Sequence, residues 1–435
     1  MRILLISPTF EEHNKKFYDE ILKTFAINWP SITLQYLKSL TPKQHDVEIV
    51  DERYETIDFE EKWDLVGISF FTATAPRAYE IADRFREKGI KVVLGGYHAS
   101  ALPDEAKQHA DSVVIGEAEG NWQNLLNDLE KGELKDFYMS ESPADIKNTS
   151  LPNVIETETV NSLIRGLIKI GGVEATRGCP HGCEFCAISN ARFGRIHRKK
   201  PIDQVIKEIE SIPSKYFIFY DASMSIDLEY TKKLFNKMRS LNKKFAAFGN
   251  TNMAKYEEFL RLANEAGCMC WQIGFESIYQ KGIDDSGKKP NIVKEYKKVV
   301  KKIHDYGMGV IGSFVFGFDD HPKSVFKETY DAIQEMNIDS IGTTILTPLP
   351  GTRLFNRMER ENRIITKDWR KYDLFHVVFK PKLMSADELY YGTIEFLDEI
   401  HSPVNTIKRT LKNVETLGFT SSLPVNFHNI LFVNL

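Results

Sequence analysis

Short apolar runs alternate with stretches of helical period along most of this chain, and that alternation restricts it to an α/β architecture. Five runs fall in residues 1–135: 2–7, 47–50, 65–71, 92–94 and 113–115. Between them Leu34, Leu37 and Leu40 keep helical spacing, as do Ala78, Ile81, Ala82 and Phe85 in a stretch opened by Pro76 and closed by Gly89. Residues 103–109 and 121–130 read as two more helices. Strands separated by helices predict a doubly wound parallel sheet, which binds ligands beyond the carboxyl ends of its strands. That edge carries Ser7-Pro8-Thr9, Thr72-Ala73-Thr74, Gly95-Gly96-Tyr97-His98 and Gly116-Glu117-Ala118-Glu119. The paired glycines admit a flat, bulky ligand to the backbone, and they suit a plain tight turn equally.

Residues 136–172 are polar and aperiodic and read as a linker, with the more apolar 162–170 able to dock on the next domain. The alternation then resumes, six times, in residues 173–355, with strands expected at 173–176, 216–220, 245–248, 268–274, 309–316 and 340–346. Repeated strand–helix units predict a parallel β/α barrel, here partial because six units are fewer than eight. Its carboxyl edge carries a cysteine loop, Asp221, Asn250, Glu276-Ser277, Phe318-Asp319 and Thr347-Pro348. Residues 356–435 form a helical C-terminal region, with helices expected at 387–400 and 405–414. Trp369, Tyr372, Phe375 and Phe379 are either pocket walls or ordinary packing.

The cysteine loop narrows the chemistry. Cys179, Cys183 and Cys186 have C-x3-C-x2-C spacing and are three of the five cysteines. Gly178 and Gly182 let the chain bend tightly around one centre. Thiolates hold iron–sulfur clusters, and three of them leave one iron of a four-iron cluster open. A structural zinc would want a fourth ligand, and His181 is poorly placed to be it. Cys268 and Cys270 alternate in an apolar run and read as buried strand residues. A net charge of −4 gives no bulk attraction for nucleic acid. The basic run His197-Arg198-Lys199-Lys200 is a solvated face or a grip on an anionic substrate. No apolar run approaches the ~18–20 residues that cross a bilayer, and no signal peptide is evident, so a cytoplasmic location is expected.

The loop Arg177-Gly-Cys-Pro-His-Gly-Cys-Glu-Phe-Cys186, together with Ile273-Gly-Phe-Glu-Ser277, Phe316-Gly-Phe-Asp319 and Thr347-Pro-Leu-Pro-Gly-Thr352, resembles the radical S-adenosylmethionine (SAM) enzymes that carry a cobalamin-binding-type domain. That group includes hopanoid methylases and anaerobic magnesium-protoporphyrin ester cyclases, and the resemblance spans roughly residues 1–390. It implies a [4Fe-4S] cluster on Cys179, Cys183 and Cys186 that reduces SAM to a 5′-deoxyadenosyl radical, and cobalamin that delivers a methyl group to an unactivated carbon of a small-molecule or lipid substrate. It implies electrons from a donor such as flavodoxin or ferredoxin. SAM contacts carried over are Phe185 and Ala187 near adenine, Asp221 toward the methionyl ammonium, and Glu276 and Ser277 toward the ribose or amino group. The bland alternatives are a loop or cap residue for Asp221 and a structural ion pair for Glu276. Cobalamin would meet Pro8, Thr72, Gly95, Gly96, His98, Gly116 and Glu117. Two departures stand out. There is no Asp-x-His-x-x-Gly, and His98 follows the fourth strand, so it reads as a hydrogen-bonding or packing residue rather than a cobalt ligand. Asp221-Ala222-Ser223 replaces the family's Asp-Asp-Asn. The residues also leave room for oxidative cyclisation or rearrangement without methyl transfer, and for a non-catalytic cobalamin- or SAM-binding redox sensor.

Overall fold

The computed structural model describes residues 1–10, 32–53, 55–149 and 170–431. The first sheet comprises β1 (Arg2–Ser7), β2 (Asp46–Asp51), β3 (Leu65–Ser69), β4 (Lys91–Gly95), β5 (Ser112–Ile115) and β6 (Phe137–Met139), in the order β2-β1-β3-β4-β5-β6. Every pairing is parallel. The order reverses at β1, so the crevice between β1 and β3 is the switch point where such sheets bind ligands. β1 and β3 are apolar on both faces because helices cover both. One face packs on the helix Ala75–Glu87, whose Ala78, Ile81, Ala82 and Phe85 are buried. The other packs on Ile32–Leu40 and Trp122–Lys131.

β6 corrects the expected linker: its first residues are a sixth strand, and Tyr138 is buried in that core. The rest of the expected crossing, 150–169, lies outside the described residues.

The second sheet has β7 (Ile170–Val173), then, after a two-residue antiparallel pair β8 (Thr176–Arg177) with β9 (Arg198–Lys199), β10 (Tyr216–Phe219), β11 (Lys244–Gly249), β12 (Cys268–Glu276), β13 (Gly309–Phe316) and β14 (Ser340–Ile345). The order β14-β13-β12-β11-β10-β7 is all parallel, and β7 and β14 do not pair, which makes an open six-stranded barrel. Its first strand lies three residues before the expected 173–176. Gly171 and Gly172 are there for closeness: a Cβ on either would run into Ile212 or Tyr220.

Helices Ala386–Ile400 and 403–431 are the last described elements, the latter broken at Gly418 (φ 76°). Leu417 and Val425 pack on Cys270 and Ile311. His428 Nδ1 and Asn429 Oδ1 lie 2.6 and 2.8 Å from the Ser340 hydroxyl. These are the amino ends of the strands, so the final helix plugs the floor of the barrel, whereas Leu389 and Phe396 of Ala386–Ile400 pack on Gly317 and Phe316 at the carboxyl end of β13. No helix among the described residues is long and apolar enough to cross a membrane.

Candidate functional site

The cysteine loop hangs on the carboxyl end of β8. Gly178 has φ 92°, and a Cβ there would strike the Ile196 carbonyl. The Cys179 amide donates to Gly194 O at 2.8 Å, closing the loop on itself. Asn190 then fixes its shape: its amide donates to the carbonyls of Cys183 (3.0 Å) and Cys186 (2.8 Å), and the Ser189 hydroxyl also donates to Cys183 O. The helix Arg353–Arg360 braces the outside, with the Leu354 amide donating to Glu184 O at 3.1 Å and Arg357 bonding both Glu184 and Asp319.

None of the three cysteines is in a disulfide. Burial raises Cys183 to about 12 and raises Cys179, while the charge of Lys288 pulls both back. Among the described residues no three Cys, His, Asp or Glu side chains converge tightly enough for a single metal ion. A set of three thiols spread around a glycine-hinged loop fits a cluster, where each sulfur takes its own iron. His181 Nε2 is buried in the same loop with no protein partner.

Two carboxylates at the barrel edge have opposite surroundings. Asp221 is buried and saturated: it accepts from the Ala175 amide at 3.1 Å and from the Thr176 amide and hydroxyl at 2.5 and 2.6 Å. Burial pushes it up to about 7 despite those bonds. It ties β8 to the end of β10, which is the structural reading of this residue. Glu276 ends β12 after a register shift, with φ 64°, a conformation non-glycine residues rarely hold. Its partner is the Lys288 ammonium. Ser277 bonds His321 Nε2 at 2.8 Å and accepts from the Tyr279 amide. Phe185 packs edge-on against Phe318, and Ala187 opens the short helix that carries Asn190.

At the edge of the first sheet a cavity of about 280 Å³ opens between Tyr36 and Leu37 on one side and Gly67, Gly95, Gly96 and Gly116 on the other. Gly96 has φ 92°, and a Cβ there would sit 2.6 Å from Phe70 O. At Gly95 the nearest atom would be 3.8 Å away, so its bareness leaves room toward the cavity rather than toward the fold. Glu117 lines the cavity but is claimed by Arg198 through two 2.6 Å bonds. Arg177, also at the wall, bridges Glu119 (2.5 Å) and Glu174 (2.8 Å). Arg177 stands two residues before Cys179, so the cavity and the cysteine loop share a wall.

Pro8, Thr72 and His98 are not among the cavity's lining residues. His98 is fully buried, 3.2 Å from Glu105, which also accepts from Trp369 Nε1 at 2.9 Å. Trp369 thus joins the domains and packs with Tyr372, while Phe375 is buried and Phe379 is buried in the barrel core. Only Lys199 of the basic run is exposed: Arg198 holds Glu117, and Lys200 is buried against Glu208 and the Tyr36 hydroxyl. Sequence reading missed Asn190 and Lys288; it placed Tyr97 on the strand edge but not its contact, a hydroxyl that donates to Pro350 O at 2.8 Å. Only Asn190 carried a local signal, a polar residue four positions past Cys186.

Three family profiles match: the radical SAM superfamily over residues 173–333, a B12 binding domain over 20–126 and a domain of unknown function, DUF4070, over 352–430. The bacteriochlorophyllide d C-12(1)-methyltransferase of Chlorobaculum tepidum is 32% identical over 88% of this chain and 85% of its own. The C-8(2)-methyltransferase of the same organism is 30% identical over 89% and 88%. The radical SAM methyltransferase TsrM of Kitasatospora setae, solved with cobalamin and a [4Fe-4S] cluster, has the same fold: TM-score 0.72 at 14% identity, over 100% of this chain and 98% of that one.

Proposed function

This chain belongs to the cobalamin-binding radical SAM enzymes, and from that premise we propose that it methylates a carbon on the periphery of a chlorophyllide-type macrocycle. It is a cobalamin-dependent radical SAM methyltransferase, acting on a small molecule with electrons from a reductant. Bound SAM and the cluster supply one-electron chemistry that activates an unreactive carbon, and cobalamin carries the methyl group. The relatives described are methyltransferases, which favours methyl transfer over ring closure or sensing.

The chain's own residues divide the work. Cys179, Cys183 and Cys186 are the cluster ligands, and Asn190 holds their loop carbonyls in place. Glu276, with Phe185 and Ala187 on the cysteine loop, is the SAM-facing group, whereas Asp221, whose oxygens already accept from Ala175 and Thr176, is a positioning residue. Ser277 orients the segment after Glu276 through His321. Gly95, Gly96 and Gly116 line the wall that would take part of a corrinoid, and Gly95 leaves room there. A flavodoxin or ferredoxin is the reading for the electron donor.

The substrate reading rests on one observation: two relatives that cover most of the chain are named for methylation of one macrocycle at two positions. The test uses protein reconstituted without oxygen, with cobalamin, reductant, SAM bearing a deuterated methyl group, and a bacteriochlorophyllide. The expected product carries one labelled methyl, alongside S-adenosylhomocysteine. SAM consumed with no label in the macrocycle would overturn the substrate.

A further inference from the structure

The helical segment 403–431 has its polarity inverted. The Asn413 amide donates to Asn426 Oδ1 at 2.8 Å, and the Arg409 Nε–H to Asn429 Oδ1 at 3.1 Å, across 13 and 20 residues of sequence. One straight helix would hold those pairs roughly 20 and 30 Å apart. The chain therefore doubles back at Gly418 into two antiparallel helices that cross the barrel floor. Their inner sides are polar: Thr406, Arg409, Asn413, Ser422, Asn426 and Asn429 are buried. The amides of Asn413 and Asn429 both donate to Asp339 O, at 2.9 and 2.7 Å. Their outer sides are apolar: Val404, Ile407, Leu411, Phe419, Leu423 and Ile430 are 43–71% exposed. A helix on the surface of a monomer turns its apolar stripe inward. Apolar side chains gathered on the outside mark a contact surface.

Charge on that face indicates what covers it. Lys408, Lys412 and Glu415 are exposed among the apolar side chains, and none of them has an ion partner among the described residues. Lys408 lies three residues before Leu411 and Glu415 four after it, so both share its side of the helix. A second copy crossing antiparallel at Leu411 brings each Lys408 nearly level with the other copy's Glu415. A parallel crossing would set lysine against lysine. A two-fold contact makes the favourable pair twice. An anionic bilayer would be met by basic residues alone, whereas this face carries both signs. We infer that the hairpin is a homodimer interface, in which two copies pack floor to floor through Leu411 and its apolar neighbours and Lys408 pairs with Glu415 of the partner subunit. The barrel mouths then point away from each other, and both ligand edges of each copy stay open.

The test is the mass of the reconstituted full chain in solution, by light scattering and sedimentation up to about 100 μM, a range that captures even a weak dimer. The parent should have twice the mass of one chain. Leu411 is exposed, so Leu411→Glu should keep the parent's circular dichroism while raising the dissociation constant roughly a hundredfold. Lys408→Glu should raise it about tenfold, and adding Glu415→Lys to that variant should restore the parent's value. A monomeric parent overturns the interface. So does a Leu411→Glu variant that dimerises as the parent does, or a charge swap that recovers nothing. A monomeric parent that sediments with vesicles of anionic lipid, and no longer does so in Leu411→Glu, would assign the face to a bilayer and overturn the second copy.

Discussion

The two ligand edges of this molecule are both made of parallel strand ends, but they present different things. At the barrel mouth the chemistry is in side chains: three thiols, a strained glutamate and a lysine. At the edge of the first sheet it is in their absence, a cavity walled by Gly67, Gly95, Gly96 and Gly116. A side-chain site fails when an atom is removed. A backbone site fails when one is added. Nearly every charged side chain near the bare edge, Glu117, Glu119, Arg177 and Arg198, is occupied in joining the two domains.

The sharpest break of that contrast is Cys183→Ala. Loss of one of three thiolates should abolish cluster retention, read as iron per chain, while cobalamin uptake persists. Retention of four irons would remove the loop from the chemistry. The complementary experiment adds a methyl group at neighbouring glycines. Gly96→Ala forces a positive φ and a clash with Phe70, and should cost roughly 3 kcal/mol in unfolding free energy. Gly95→Ala meets nothing closer than 3.8 Å within the protein, so unfolding should be unchanged while cobalamin binding weakens. Equal cobalamin content in Gly95→Ala and the parent would show that the cavity does not hold the cofactor.

The same contrast explains what could be read from the sequence. The cluster ligands were legible because all three lie within eight residues, so spacing alone carries the geometry. Strand–helix alternation likewise exposed both sheets, since apolar period is a local property. Failures came where meaning depended on distant partners. Gly171 and Gly172 carry no apolar signal, and only Ile212 and Tyr220 pressing on them explain why the strand begins there. Lys200 looks solvated until Tyr36, 164 residues away, and Glu208 are beside it. Lys288 had no signal at all. Asp221 and Glu276 are both acidic residues at strand ends, and only the surrounding donors tell them apart.

Asp221 offers a smaller test. Asp221→Asn turns an acceptor toward the amides of Ala175 and Thr176 into a donor, and should cost roughly 2 kcal/mol. The parent should show a matching pH dependence. Burial raises this carboxyl from 3.8 to about 7, so the folded state holds its proton more tightly than the unfolded chain. The stability it contributes is complete below about pH 4 and is lost as pH rises through about 7. The asparagine variant should lack that slope, as followed by chemical unfolding across the same range. A slope of equal size in the variant would assign it elsewhere.

The smallest effect belongs to His98. Its ring packs between Phe70 and Trp369 and bonds Glu105, which keeps Tyr79 and Trp369 as donors when the ring is replaced. His98→Phe should therefore cost only about 1 kcal/mol, the usual net value of one such bond. Because His98 is off the cavity, the visible spectrum of bound cobalamin should stay that of the parent. A spectral shift on losing the imidazole would mean that His98 reaches the cobalt after all, and the backbone edge would then depend on a side chain just as the barrel mouth does.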